Sequence, residues 1–200
     1  MELQHVNVKL FVRDPERIDL EALIPIFHGW IRSQSGGELL LDIADYRHVS
    51  AGPGVVLVGH HGNFSLDNAG DRWGVRYNRK TALGGTNQDR LVQATQAALA
   101  ACRRLENDPQ LGGALQFDGH EIEVFINDRL LSPNTSQARA ALEAELRVFL
   151  SGLFGDANYS LEYSPDDRGR LAVRIRTPQA FDTAALSGNL NAIELAYPPR

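Results

Sequence analysis

Asn63-Phe64-Ser65-Leu66-Asp67-Asn68-Ala69-Gly70-Asp71-Arg72-Trp73-Gly74-Val75-Arg76-Tyr77-Asn78 is the stretch that decides the fold class. Phe64 and Leu66 alternate with Ser65 and Asp67. Trp73, Val75 and Tyr77 alternate with Gly74, Arg76 and Asn78. Successive side chains of a strand point to opposite faces, so each run has one apolar and one polar face. Asn68-Ala69-Gly70-Asp71 between them is turn chemistry. The segment reads as an antiparallel hairpin with one buried face.

The same letters return at Asn158-Tyr159-Ser160-Leu161-Glu162, followed by Leu171, Val173 and Ile175 alternating with Ala172, Arg174 and Arg176. Trp73, Val75 and Tyr77 correspond to Leu171, Val173 and Ile175, and Arg76 to Arg174. Before each hairpin come a strand and a helix pattern. Val6, Val8, Leu10 and Val12 mark a first strand, and Ile122, Val124 and Ile126 its counterpart. The shared order predicts an internal duplication, with the halves arranged about a pseudo-two-fold axis. The first half covers 1–113 and carries an inserted strand pair at 38–62, and the second, shorter half covers 114–200. The halves are expected to form one compact unit.

Helix faces complete the expectation. Leu91, Thr95, Ala98, Cys102 and Leu105 recur at alternating spacings of four and three, after a Thr86…Asp89 capping box. Ala138, Leu142, Leu146, Phe149 and Leu153 do the same, and Gly155 stops them. Leu20 to Ile31 also has a helical face. Pro25 suits only a first turn, which puts the regular helix at about 24–33. A short helix is expected near 181–186, and a frayed end at Pro198-Pro199. The fold class is therefore α+β: two related strand–helix–hairpin halves, with an antiparallel sheet packed against two main helices.

Composition excludes several classes of function. A net charge of −5 argues against broad nucleic-acid or membrane-surface binding. No run reaches the roughly 18 apolar residues that would span a bilayer, and no N-terminal signal is visible, so a cytoplasmic protein is expected. The single Cys102 excludes an internal disulfide and a zinc–thiolate cluster. On its apolar helix face it reads as a buried, inert thiol. Ala51-Gly52-Pro53-Gly54 lacks the Gly-Lys-Ser/Thr ending of a phosphate loop, and no G-x-S-x-G elbow is present.

Three groups could carry a site. Asp42, Asp45, His48, His60 and His61 supply the carboxylates and imidazoles that divalent metals take. They fall in the insertion that the repeat does not explain. Convergence needs the two strand ends to be adjacent, and neighbouring His60 and His61 on an extended backbone would point to opposite faces. A solvated loop rim explains the same letters. The second group is the polar face of the hairpins, with Ser65 and Asp67 near Arg76, and Ser160 and Glu162 near Arg174. Arg168, Arg170, Arg174 and Arg176 form its densest basic cluster, partly neutralised by Asp166-Asp167, and could hold an anion. The third group is Asn127-Asp128-Arg129 after a strand, which reads first as an Asx turn.

Leu41 to Val49, Gly52 to His60, Asn63 to Asp67, Tyr77 to Lys80 and Ile126 to Leu130 together resemble a family of uncharacterised bacterial proteins. The resemblance covers nearly the whole chain. It implies a stand-alone bacterial protein and no particular activity. The leading expectation is a non-catalytic ligand- or protein-binding protein, working through Asp42, Asp45, His48, His60, His61 and the Asn127–Arg129 loop. The alternative is a metal-assisted hydrolase that uses Asp42, Asp45, His48 and His60. No cofactor is predicted, and an exposed hairpin edge offers a homodimer contact.

Overall fold

The computed structural model describes residues 1–165 and 168–196, the last three of them by backbone alone. The expectations for Asp166-Asp167 and for Pro198-Pro199 lie outside the described residues. The chain runs β1 (Val6–Val12), α1 (Leu20–Ser33), β2 (Leu40–Tyr46), β3 (Gly54–Gly59), β4 (Gly62–Asp67), β5 (Gly74–Arg79), α2 (Asn87–Glu106), β6 (Phe117–Ile126), α3 (Ser136–Phe154), β7 (Ser160–Tyr163), β8 (Leu171–Arg176) and α4 (Thr183–Ala196). The strands form one antiparallel sheet of eight, in the order β2-β3-β4-β5-β1-β6-β8-β7.

The fold is α+β, and hairpins β4–β5 and β7–β8 form where the alternation puts them. Read outward from the central β1–β6 pair, each half places a single strand, then the second strand of its hairpin, then the first. The hairpin registers are not shared. Ser65 faces Arg76, so a matching register would set Ser160 opposite Arg174. Instead Glu162 faces Arg174 and Ser160 faces Arg176, an offset of two residues. An even offset keeps every side chain on its face, which is why the letters alone did not reveal it.

Among the described residues four helices cover the sheet: the two main ones expected, α2 and α3, and the shorter α1 and α4. Val8, Leu10, Leu66, Val75, Ile122 and Val173 point to the helix side and join α1, α2, α3 and α4 in one core. Helix α2 lies over β1 and β5, α1 over β2 and β3, and α4 over β6. Thr86 caps α2 through the expected box, and both long helices bury the expected faces. Helix α1 begins four residues before the expected start. Asp19 caps Glu21 and Ala22, and Pro25 lies inside the helix on its exposed side. It costs α1 one backbone hydrogen bond without touching the core. Helix α4 is 14 residues long where a short helix near 181–186 was expected. Gly188, Asn189 and Asn191 interrupt its pattern, and its contacts to α2 and α3 hold it in place. Strand β6 begins at Phe117, earlier than its alternation shows. The β1 register shifts between Leu10 and Phe11, so extra β6 residues bulge there. Among the described residues no helix is long and apolar enough to cross a membrane.

Phe11, Val56 and Phe125 stay outside the main core although each is buried. They belong to the other face of the sheet. Among the described residues no helix packs there, and loops and long side chains shield it instead.

Candidate functional site

Asp42, Asp45, His48, His60 and His61 do not share one centre. Asp45 and His48 stand at the β2–β3 turn, and His60 and His61 at the β3–β4 turn. These turns cap opposite ends of β3, whose six residues separate them by roughly 20 Å at about 3.3 Å per residue. Asp42 is exposed and accepts from the backbone N–H of Ile43. Asp45 is bound two-pronged by Arg47, at 2.8–3.0 Å. That guanidinium pulls the Asp45 carboxyl down to about 2, and Arg47 also reaches Glu21. His60 and His61 sit in a bend, not in extended chain, so their rings meet edge to face at 4.6 Å instead of pointing apart. The His61 ring Nδ1 lies 3.1 Å from the Thr81 hydroxyl. Among the described residues no three His, Cys, Asp or Glu side chains stand close enough to share a metal ion. Asp128 accepts from the backbone N–H of Leu131, three residues on, which closes a turn one residue wider than the expected Asx turn. Cys102 is fully buried, and burial raises its thiol well above the usual range.

The helix-free face is organised differently. Ser65, Arg76, Lys9, Glu123, Arg174 and Glu162 lie side by side on successive strands, each in register with the next. This row crosses both halves. Its first part is sealed. Lys9 and Asp67 are both 0% exposed, with the ammonium 2.5 Å from Asp67 Oδ1. Asp67 belongs to β4 and Lys9 to β1, with β5 between them. Lys9 reaches across because β5 offers Gly74 there. A Cβ on Gly74 would come within 2.8 Å of Lys9 Cε. Lys9 also donates to the carbonyls of Ala69 and Arg72, in the β4–β5 loop folded over it. The second Asp67 oxygen meets Arg76 Nη1 at 2.6 Å. Burial lowers the Lys9 pKa, and Asp67 opposes that shift.

Beyond Lys9 the row opens into a groove of about 420 Å³ over β6, β7 and β8. Phe125 is its floor. The Arg76 and Arg170 guanidiniums lie over that ring at 4.9 and 4.7 Å. Such stacking contributes roughly 0.5–1 kcal/mol at partly exposed sites. Arg129, Arg174, Glu123 and Glu162 complete the charged lining. Arg174 is matched, 3.0 Å from Glu121 and 3.6 Å from Glu123. Glu121 also takes Arg72 at 2.9 Å and Arg176 at 3.4 Å. Burial pushes Glu121 up, but Arg72 and Arg176 outweigh it and hold it below the ordinary glutamate value. Tyr163, at the groove's edge, is pushed up to about 12 by burial and by Glu143, and donates to the Arg139 carbonyl.

Arg129 and Arg170 are different. Neither makes an ion pair with a described residue. Partial burial lowers the Arg170 pKa, and the charges of Arg76 and Arg129 lower it further. Glu123 and Asp67 act on Arg170 in the opposite sense without pairing with it, so the groove keeps two arginines that no described carboxylate binds directly. Beside it Leu130 is 90% and Leu131 55% exposed, two apolar side chains held out on the loop after β6.

Arg129 was legible in advance as part of a strand-end turn, and Arg170 and Arg174 as part of a basic cluster. Lys9 was not singled out. The available signal was one lysine inside the otherwise apolar strand Val6–Val12, on the same face as Asn7 and Phe11. Comparison with protein-family models, with curated proteins and with solved structures gives no match, so the groove's chemistry is read from its own residues.

Proposed function

We propose that this chain is a non-catalytic binding protein whose open sheet face takes an acidic segment of a protein partner. The observation that carries the reading is the Arg129-Leu130-Leu131 loop beside Arg170. Two arginines without an ion pair among the described residues adjoin two leucines in solvent. Arginine with protruding apolar side chains is the composition of protein interfaces, and exposed apolar groups marked by position mean contact. A carboxylate accepts two parallel N–H bonds from one guanidinium, which suits an aspartate- or glutamate-rich segment. The sealed Lys9–Asp67 pair holds the groove's wall rigid and is not itself open to a ligand.

The metal-assisted alternative has less support, because Asp45 and His48 are separated from His60 and His61 by the length of β3. Cytoplasmic location, a bacterial source, homodimerisation through the β2 edge and descent from one duplicated unit are proposed alongside. They draw on the single buried thiol, the sequence resemblance, exposed Leu39 and Leu41 on the edge, and the mirrored strand order.

A hexaglutamate peptide titrated into the chain at low salt should bind saturably, with Arg Nε–H resonances of Arg129 and Arg170 shifting in NMR spectra. Arg129→Gln with Arg170→Gln should weaken it by about tenfold or more, and added salt should weaken it too. Hexalysine should not bind. Equal binding of the two peptides, or no effect of the double substitution, would overturn the reading.

A further inference from the structure

A second cleft lies on the helix side, remote from the open face and independent of the reading above. It holds about 400 Å³, between the chain that follows α1, helix α2, and strands β4 and β5. That size is in the range of small-molecule sites. Phe64 and the exposed part of Trp30 give it aromatic surface, the buried Tyr77 ring backs Phe64 at 5.1 Å, and Ala97, Ala100 and Ala101 form a smooth side on α2. Small residues there leave the space open. Gly62 makes room for the Tyr77 ring behind it, since a Cβ there would stand 2.6 Å from that ring.

Arg104 is the cleft's most distinctive group. Its guanidinium lies over the Trp30 ring at 3.8 Å, and its Nη1 donates to the Ser35 carbonyl at 2.7 Å. These contacts fix the side chain in one pose. It makes no ion pair with a described residue, and burial lowers its pKa against the opposing charge of Asp108. Arg79 lines the same cleft and uses Nε on the Thr81 carbonyl. At the bottom the Tyr77 hydroxyl accepts from Gln93 Nε2 at 3.1 Å and donates to no described residue. Tyr77 is 0% exposed. Glu38 also lines the cleft, but its carboxylate is engaged by the backbone N–H of His61 at 2.7 Å.

The geometry points to a binding site for a small organic acid with a flat apolar body, its carboxylate taken by Arg104 and its ring set against Phe64, beside Trp30. A fixed, partly desolvated arginine favours a carboxylate over a neutral head group, since the pair forms charge-assisted bonds away from bulk water. Aromatic walls favour a ring over a flexible chain.

The test uses 3-phenylpropanoate as the probe and 3-phenylpropan-1-ol as its uncharged match. Calorimetry should show saturable binding of the acid at or below about 1 mM, and at least tenfold weaker binding of the alcohol. In a Trp73→Phe background the remaining emission is that of Trp30, and it should change with the same midpoint. Arg104→Met keeps the stem over Trp30 and should weaken the acid about tenfold while leaving the alcohol unchanged. Ala100 is exposed on α2, so Ala100→Phe should fill the cleft without disturbing the core and abolish binding of both. The proposal is overturned by equal affinities for acid and alcohol, by no saturable heat up to about 10 mM, or by unchanged acid binding in either variant.

Discussion

Hairpins β4–β5 and β7–β8 carry nearly the same letters on the same face of one sheet, and they treat their acidic residue in opposite ways. Asp67 ends β4 opposite Gly74, which has no side chain to meet it. The space admits Lys9 from the next strand but one, and the β4–β5 loop closes over both. Glu162 of β7 faces Arg174, is 62% exposed, and pairs with Arg176 at 3.1 Å. A register difference of two residues thus separates a buried charge cluster from a surface ladder. The lesson is that an acid–base pair carried by matching letters has no fixed weight. What stands opposite it decides whether water remains.

The largest effect expected from that difference is at Asp67. Asp67→Asn would leave Lys9 buried without an anion and would strip Arg76 of its 2.6 Å partner. Breaking a buried pair in this way costs about 3–5 kcal/mol. Lys9→Met should cost less, about 1–3 kcal/mol, because Asp67 keeps Arg76 while its Oδ1 and the Ala69 and Arg72 carbonyls lose the Lys9 donor. Urea unfolding midpoints at constant slope measure both. If the two substitutions cost the same, Arg76 does not share Asp67, and the cluster is a simple pair.

Much of the scaffold was legible and the site mostly was not, for one physical reason. Helices α2 and α3 are set by contacts three and four residues apart, so Leu91 to Leu105 and Ala138 to Leu153 declare their faces in sequence. The hairpins are nearly as local. The Lys9–Asp67 pair spans 58 residues and depends on β5 lying between β4 and β1, which alternation does not reveal. The Asp and His grouping failed on the same ground. His48 and His60 are near in sequence, but a hairpin-joined strand carries them to opposite ends. Pro25 misled about α1 because the hydrogen bond it forfeits is not enough by itself to end a helix whose other face is packed in the core. On the exposed side, one turn in, α1 accommodates it.

A middle-sized effect lies at Glu121, where the open face is half sealed. Its folded pKa is below the ordinary value, so its ion pairs stabilise fully above the unfolded value of about 4.3 and are lost as pH falls through the folded one. Glu121→Gln should therefore cost about 1–2 kcal/mol at neutral pH. The gap from the natural chain should close below about pH 4. The penalty stays below that of Asp67→Asn because Arg72, Arg174 and Arg176 are each 30–49% exposed and can turn to water. A gap that is the same at pH 3 and pH 7 would mean that Glu121 contributes by packing and not by charge.

The smallest effect belongs to Glu162. Its partner Arg176 is 49% exposed and retains Glu121 at 3.4 Å when Glu162 is neutralised. The carboxylate itself returns to water at little cost. Glu162→Gln should change unfolding free energy by less than about 0.5 kcal/mol, and the change should vanish in high salt. It would also raise the net positive charge of the groove, since Glu162 is one of two glutamates among its lining arginines. The same substitution should therefore tighten hexaglutamate binding while leaving stability almost untouched. A cost above about 1 kcal/mol would place Glu162 beside Asp67 as a structural anchor and remove the contrast between the hairpins. Unchanged peptide affinity would remove Glu162 from the groove's charge balance and shift the binding surface toward Arg129 and Leu130 alone.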